Sequence, residues 1–225
     1  MSPKVVIFDL DGTLLDTLDD LSAAVNYAMQ QHGFPQHTRE EYKMMVGHGA
    51  RNLMTQALPS EHRNDEALID AVLSDFRNYY NAHIDVYTKP FPGIPQLLKN
   101  LHQKGVKLAV ASNKFQEGTE HLIKEFFPDI PFVVILGNRP GYPLKPDPEV
   151  VGEVLRQTCL FKEDSPLSIK RGAEEEVFMV GDSDTDMETA ANSGIRGIAV
   201  SWGYRNMSGW NHVNTIEELQ KILLP

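Results

Sequence analysis

One cysteine, Cys159, in 225 residues leaves no disulfide framework to staple the fold. Nothing around it marks a reactive thiolate, so it reads as a packing residue. Long apolar runs are also missing. None approaches the ~18 residues that a membrane span requires, and Met1 to Lys4 leads straight into a strand-like segment rather than a cleavable signal. The expectation is a soluble, cytoplasmic chain. Positive charge is scarce as well: 21 Lys and Arg stand against 31 Asp and Glu, a net charge of -10. That balance opposes the basic footprint of nucleic-acid or anionic-membrane binding, so neither partner is expected. Were the substrate an anion, the site would have to supply its own local cations. Repeats and low-complexity tracts are absent, and the short acidic run Glu174-Glu175-Glu176 reads as solvated. Neither the G-x-S-x-G of a serine hydrolase nor the G-x-x-x-x-G-K-[ST] of a P-loop enzyme occurs.

What is present is alternation. Short apolar runs at Val5–Phe8, Val106–Ala111, Phe132–Leu136, Val177–Val180 and Ile195–Val200 are separated by segments long enough for helices. Uninterrupted apolar runs suit strands buried on both faces, so the pattern predicts an α/β fold, a Rossmann-like parallel sheet flanked by helices. Ile94, Leu97, Leu98 and Leu101 show helical spacing. A last helix is expected to open with a capping box, Thr215 and Glu218, before Leu219, Ile222 and Leu223. Between Asp16 and His83 the alternation breaks. Only amphipathic helical patterns remain there, Leu18, Leu21, Val25, Met29 and later Leu68, Val72, Phe76, Tyr79. The expected organisation is a core of residues 1–15 and 86–225 with an all-helical unit, 16–85, inserted after the first strand. Its joints are Leu14–Thr17 and Asp85–Pro92, two linkers that allow a hinge.

In open parallel sheets ligands bind beyond the carboxyl ends of the strands. Asp9-Leu10-Asp11-Gly12-Thr13 follows the first strand, and residues two apart in extended chain project to one side. Asp9 and Asp11 can therefore enter one crevice while Gly12 lets the chain turn. Two carboxylates so spaced suit phosphoryl transfer, one attacking phosphorus and the other managing the proton. Gly181-Asp182-Ser183-Asp184-Thr185-Asp186 follows the run Val177–Val180, with Asp182 and Asp186 about one helical turn apart. Like charges ~4 Å apart repel by about 4 kcal/mol at an effective dielectric of ~20. A hard cation relieves that repulsion, and carboxylate oxygens with phosphate are the setting preferred by Mg²⁺. Ser112-Asn113, after Val106–Ala111, can offer a hydroxyl and amides to phosphate at a helix entrance. Lys145 can hold an ammonium over the same crevice.

With four motifs in this order, Asp9 to Thr13, Ser112-Asn113, Lys145-Pro146 and Gly181 to Asp186, the sequence resembles the haloacid dehalogenase superfamily phosphatases over nearly its whole length. The resemblance implies Asp9 as nucleophile and metal ligand, and Asp11 as acid/base that also binds metal through its backbone carbonyl. It implies Ser112 and Lys145 on the phosphate, Asp182 on Mg²⁺, and Asp186 near the metal or orienting Lys145. Gly12, Thr13 and Asn113 line the substrate position, and the helical unit becomes a cap. Within it, Val46-Gly47-His48-Gly49-Ala50-Arg51 resembles the substrate-facing loop of phosphoglycolate phosphatase-like members. Gly47 would allow close approach, and His48 and Arg51 would contact a small phosphorylated metabolite, Arg51 through a carboxylate or second phosphate. The stretch 157–176 is longer than that family leads one to expect. A phosphosugar mutase of the β-phosphoglucomutase type keeps the same motifs and stays open, as does a monomer or a homodimer. A phosphonate hydrolase would need a Schiff-base lysine, and Lys43, alone in the helical unit, lacks supporting context. The rival that is not an enzyme, a divalent-cation-binding module of EF-hand type, founders on Met187 and Ser193 where Gly and Glu are required. Asp184 reads as an exposed first-turn acid, and Trp202 and Trp210 as packing or loop anchors.

Overall fold

In the computed structural model, which describes residues 3–158 and 176–225, β1 (Val5–Phe8) is buried at every position. Cys159, Glu174, Glu175 and nearly all of the long 157–176 stretch lie outside the described residues. β1 is covered on both sides because it is central. It pairs in parallel with β4 (Lys107–Phe115) and with β6 (Val177–Gly181), Phe8 standing level with Val110 and with Val180. With β5 (Phe132–Asn138), β7 (Arg196–Val200) and β8 (His212–Val213), the sheet runs β5-β4-β1-β6-β7-β8, every pairing parallel. The chain therefore leaves β1 towards one edge and later returns to build the other. That reversal opens a crevice at the carboxyl end of β1.

The pleat divides the core. Val6 and Phe8 join Leu97 and Leu101 of α5 (Ile94–Gln103), Leu122 of α6 (Gln116–Phe126) and Leu219 of α9 (Ile216–Leu223). Val5 and Ile7 face the other way, towards Val150 and Val154 of α7 (Glu149–Gln157) and Ala190 of α8 (Asp184–Asn192). Period-two exchange between the faces is what an uninterrupted apolar strand needs if neither side is to meet water.

The helical unit lies between two very short strands, β2 (Leu15–Asp16) and β3 (Lys89–Pro90), which pair antiparallel, Leu15 with Pro90 and Asp16 with Lys89. It comprises α1 (Leu18–Gln31), α2 (Arg39–Met45), α3 (Ala50–Ala57), a 3-10 turn at Ser60–His62 and α4 (Glu66–Ala82). Its apolar stripe is continuous with the first face of the sheet through Leu14 and Leu18. The outgoing connection is pinned by Asp20 on α1, whose buried carboxylate accepts from the backbone N–H groups of Tyr87 and Thr88 and from the Thr88 hydroxyl.

Several local expectations are corrected. β4 runs on to Phe115, so Ser112 and Asn113 sit in extended chain, and α6 begins only at Gln116. On α4 the buried stripe is Ile69, Val72, Phe76 and Tyr80; Tyr79 instead stacks on Tyr27, ring centroids 4.3 Å apart. Thr215 does cap α9, but Glu218 accepts from the N–H of Asn214, and Ile222 faces outward at 39% exposure. The two-residue strands β2, β3 and β8 are too short to leave an apolar run. Among the described residues no helix is long and apolar enough to cross a membrane.

Candidate active site

Because β1 and β6 run parallel and in register, the residues just past their ends arrive side by side. Asp9 follows β1 and donates its N–H to Val180 at 2.9 Å; Asp182 follows β6. Asp186 comes up from the first turn of α8. One oxygen from each of Asp9, Asp182 and Asp186 lies within 4.8 Å of the others. Into this group reaches Lys145, its Nζ 2.7 Å from Asp9 Oδ1 and 2.7 Å from Asp186 Oδ1. All four residues are buried. Burial raises the Asp9 carboxyl well above its ordinary value, Asp186 and Asp182 adding to the rise and Lys145 opposing it. Burial and then Asp186 push Asp182 up to about 7, against the Tyr204 N–H, Lys145 and Thr13. Burial would lower the Lys145 ammonium, but Asp186 and Asp9 more than offset it, so the lysine stays charged. Three carboxylates against one ammonium leave two negative charges when all are ionised, the deficit a divalent cation fills. The cluster is a group of hard oxygen donors able to hold such an ion.

The acids are held by small neighbours. Asp182 accepts from the Thr13 hydroxyl at 3.3 Å and from the Tyr204 N–H at 2.6 Å. A Cβ on Gly12, whose φ is +84°, would stand 2.3 Å from an Asp182 oxygen, and one on Gly203 would stand 2.2 Å from it. Only glycine fits at either place. Asp186 accepts from the backbone N–H and the hydroxyl of Ser183 at 3.1 and 2.6 Å, closing the start of α8.

Asp11 stands apart from the three-carboxylate cluster. Its carboxylate accepts from the Thr17 hydroxyl at 2.6 Å and pairs with the Lys114 ammonium at 3.1 Å. Lys114 also donates to the Tyr80 hydroxyl at 2.6 Å, and so links the core to α4. Asp11, Lys114 and Tyr80 line one cleft, which the core and the helical unit bound together. Asp9, Asp11, Ser112, Asn113, Lys145 and Asp182 line it from the core, and Leu21, Gly47, Leu53, Phe76 and Tyr80 from the helical unit.

A model of the haloacid dehalogenase-like hydrolases matches residues 6–200. The chain belongs to that family. A phosphoglycolate phosphatase of Mesorhizobium japonicum is 30% identical over 218 residues, covering 96% of this chain and 89% of that one. Phosphoglycolate phosphatase 1 of Pseudomonas aeruginosa is 32% identical over 91% of this chain and 71% of its own. A crystal structure from Lactobacillus delbrueckii subsp. bulgaricus, provisionally described as a phosphoglycolate phosphatase, superposes with a TM-score of 0.85 at 35% identity, covering 100% of this chain and 99% of that one. These relatives place the protein among the phosphatases of the haloacid dehalogenase-like family.

Not every residue singled out in the sequence reaches the cleft. Arg51 pairs with Glu66 and Asp70 on the surface of the helical unit, and its guanidinium does not line the cleft. His48 is exposed, its Nδ1 3.4 Å from the Thr185 hydroxyl. Thr13 is spent on Asp182 and lies outside the lining. Asn113 does line it, yet its amide is used on the backbone: Nδ2 donates to the Gly47 and Lys145 carbonyls at 3.0 and 3.1 Å, and Oδ1 accepts from the Lys145 N–H at 2.9 Å. Asp184 accepts from the Trp210 indole, and the Trp202 indole donates to the Thr13 carbonyl at 3.2 Å. Lys114, Tyr80, Tyr204 and Arg205 line the cleft without having been anticipated. For Lys114 a signal existed, since it follows Ser112-Asn113 directly. For Tyr204 and Arg205, in an irregular loop, none did.

Proposed function

We propose that this protein is a Mg²⁺-dependent phosphomonoesterase acting on a small phosphorylated metabolite of the phosphoglycolate kind, through an aspartyl phosphate on Asp9. What carries the assignment is the convergence of Asp9, Asp182 and Asp186 around Lys145 at the ends of two adjacent parallel strands. The donor set fits the ion: all oxygens, buried, and carrying two negative charges in excess when ionised. Asp9, Asp182 and Asp186, with the carbonyl of Asp11, would hold it. Bound there, Mg²⁺ supplies charge neutralisation and polarises the phosphoryl oxygens.

This chain's own groups do the rest. Ser112 and Lys145 hold the phosphate, and Lys145 is already charged and aimed by two acids. The free Asp9 oxygen attacks phosphorus in line. Asp11, two residues on and outside the carboxylate cluster, protonates the leaving oxygen and later takes the proton of the hydrolytic water. Its two supports, Thr17 and Lys114, fix where that proton is delivered. Residues 16–85 act as the cap, excluding water with Leu21, Leu53 and Phe76. Substrate preference follows the names of the relatives. The single cysteine accords with a reducing, cytoplasmic setting, and the enzyme is either a monomer or a homodimer.

The test is to quench turnover of Mg²⁺-loaded protein on a panel of phosphomonoesters and to map phosphate by peptide mass spectrometry. Phosphate should appear on the peptide bearing Asp9 and accumulate in Asp11→Asn. Full turnover with no adduct in either protein would reject the intermediate. Isomerised rather than hydrolysed phosphosugar would redirect the assignment to a mutase.

A further inference from the structure

Three cations line the cleft among the described residues, and two of them are committed. Lys145 is shared by Asp9 and Asp186, and Lys114 pairs with Asp11. Arg205, in the loop after β7, has no such partner: among the described residues no carboxylate lies within 4.0 Å of its guanidinium. Its Nη2 donates to the Val46 carbonyl at 2.8 Å and its Nη1 to the Met44 sulfur at 3.6 Å, a neutral oxygen and a weak acceptor. The contrast with Arg39, Arg51 and Arg156 is plain, since each of those holds two acids. Arg205 is half-buried, and burial outweighs the more distant Asp182 and Asp184 to lower its pKa. A guanidinium nevertheless stays charged in proteins. A charge drawn out of water without a counter-charge is unfavourable, and the unused donors of its planar fork match a carboxylate.

Position sets the length of ligand that can use it. Arg205 follows Tyr204, whose N–H holds Asp182, so the arginine is tied at short range to the phosphate end of the cleft. We propose that Arg205 is the specificity-determining residue of this phosphatase, receiving a carboxylate carried by the alcohol part of a short phosphomonoester. This rests on the function proposed above. One guanidinium balances one carboxylate, which fits a monoanionic leaving group better than a second phosphate. Arg205 takes the part that the sequence offered to Arg51, and its bond to Val46 makes the anion contact and the helical unit neighbours at the same point.

The experiment compares kcat/KM for phosphoglycolate with that for its amide, phosphoglycolamide, which keeps the shape and loses the charge. Wild-type protein should prefer the acid. Arg205→Gln should lose about ten- to a hundredfold on the acid, chiefly in KM, and less than about threefold on the amide. Arg205→Lys should recover part of the preference, and melting curves should show all three proteins folded. Equal losses on acid and amide would reduce Arg205 to a strut of the helical unit and overturn the proposal. So would a wild-type enzyme that hydrolyses other phosphomonoesters without favouring the acid, an outcome that leaves the phosphatase assignment standing. Absence of all phosphomonoester turnover with Mg²⁺ present would remove both.

Discussion

The ammonium of Lys145 lies 2.7 Å from the same carboxyl group of Asp9 that would attack phosphorus. One Asp9 oxygen is thereby fixed, and the ammonium opposes the upward shift that burial and two further acids impose on the carboxyl. Asp9→Asn removes the nucleophile and one of the repelling charges, while Lys145 keeps Asp186. Activity should fall at least ~1,000-fold. The melting temperature in chelator should be no lower than wild type. Retained turnover would reject Asp9 as nucleophile, and a collapsed melt would show instead that the ion pair holds the fold.

Metal and pH should be linked with a definite sign. The Asp182 carboxyl titrates at about 7 in the folded chain against 3.8 for its ordinary value. Between those values the folded state binds a proton that the unfolded state has lost. Metal-free stability should therefore decline as pH rises from about 4 through about 7. Mg²⁺ must displace that proton, so the rise in melting temperature on adding it should grow from pH 5 to pH 8. Melts at four pH values, with chelator and with saturating Mg²⁺, provide the check. A metal increment flat across that range would remove Asp182 from the metal shell. Exhaustive chelation should also abolish turnover.

The sheet was readable in the sequence because strands covered on both faces have apolar residues at every position, as in Val5–Phe8. The site acids were readable because strand ends in a parallel sheet point to one edge. Other features left no such trace. A two-residue strand such as β3 has no periodicity. Asp20 looks like an ordinary first-turn acid of α1, and only the folded chain brings Tyr87 and Thr88 to its carboxylate. Arg51 and Arg205 differ by their neighbours, Glu66 and Asp70 for one and a carbonyl and a sulfur for the other. Pairing across such separations is tertiary information.

Arg51→Ala should therefore be mild. Its two ion pairs are solvent-exposed, where such pairs contribute little. We expect kcat/KM within about twofold of wild type and a melting temperature close to it. A selective rise in KM for phosphoglycolate, without effect on its amide, would return Arg51 to the substrate and count against Arg205.

Asn113→Ala should be more damaging than its distance from the chemistry suggests. The side chain serves three backbone groups, the Lys145 N–H, the Lys145 carbonyl and the Gly47 carbonyl, and it is 5% exposed. Alanine leaves those groups unpaired in a nearly dry site, at a cost of roughly 2–4 kcal/mol. The same change unties the loop bearing Lys145 from β4 and releases Gly47 of the helical unit. Stability, kcat and KM should all suffer together. Asn113→Asp separates the two ties: its carboxylate can still accept from the Lys145 N–H but cannot donate to either carbonyl. If the Gly47 bond matters for closing the cleft, Asp should restore much of kcat while leaving KM high. If Asp and Ala behave alike in both parameters, the bond from the Lys145 N–H contributes nothing of its own, and the loss lies in the two carbonyl contacts that both variants forgo.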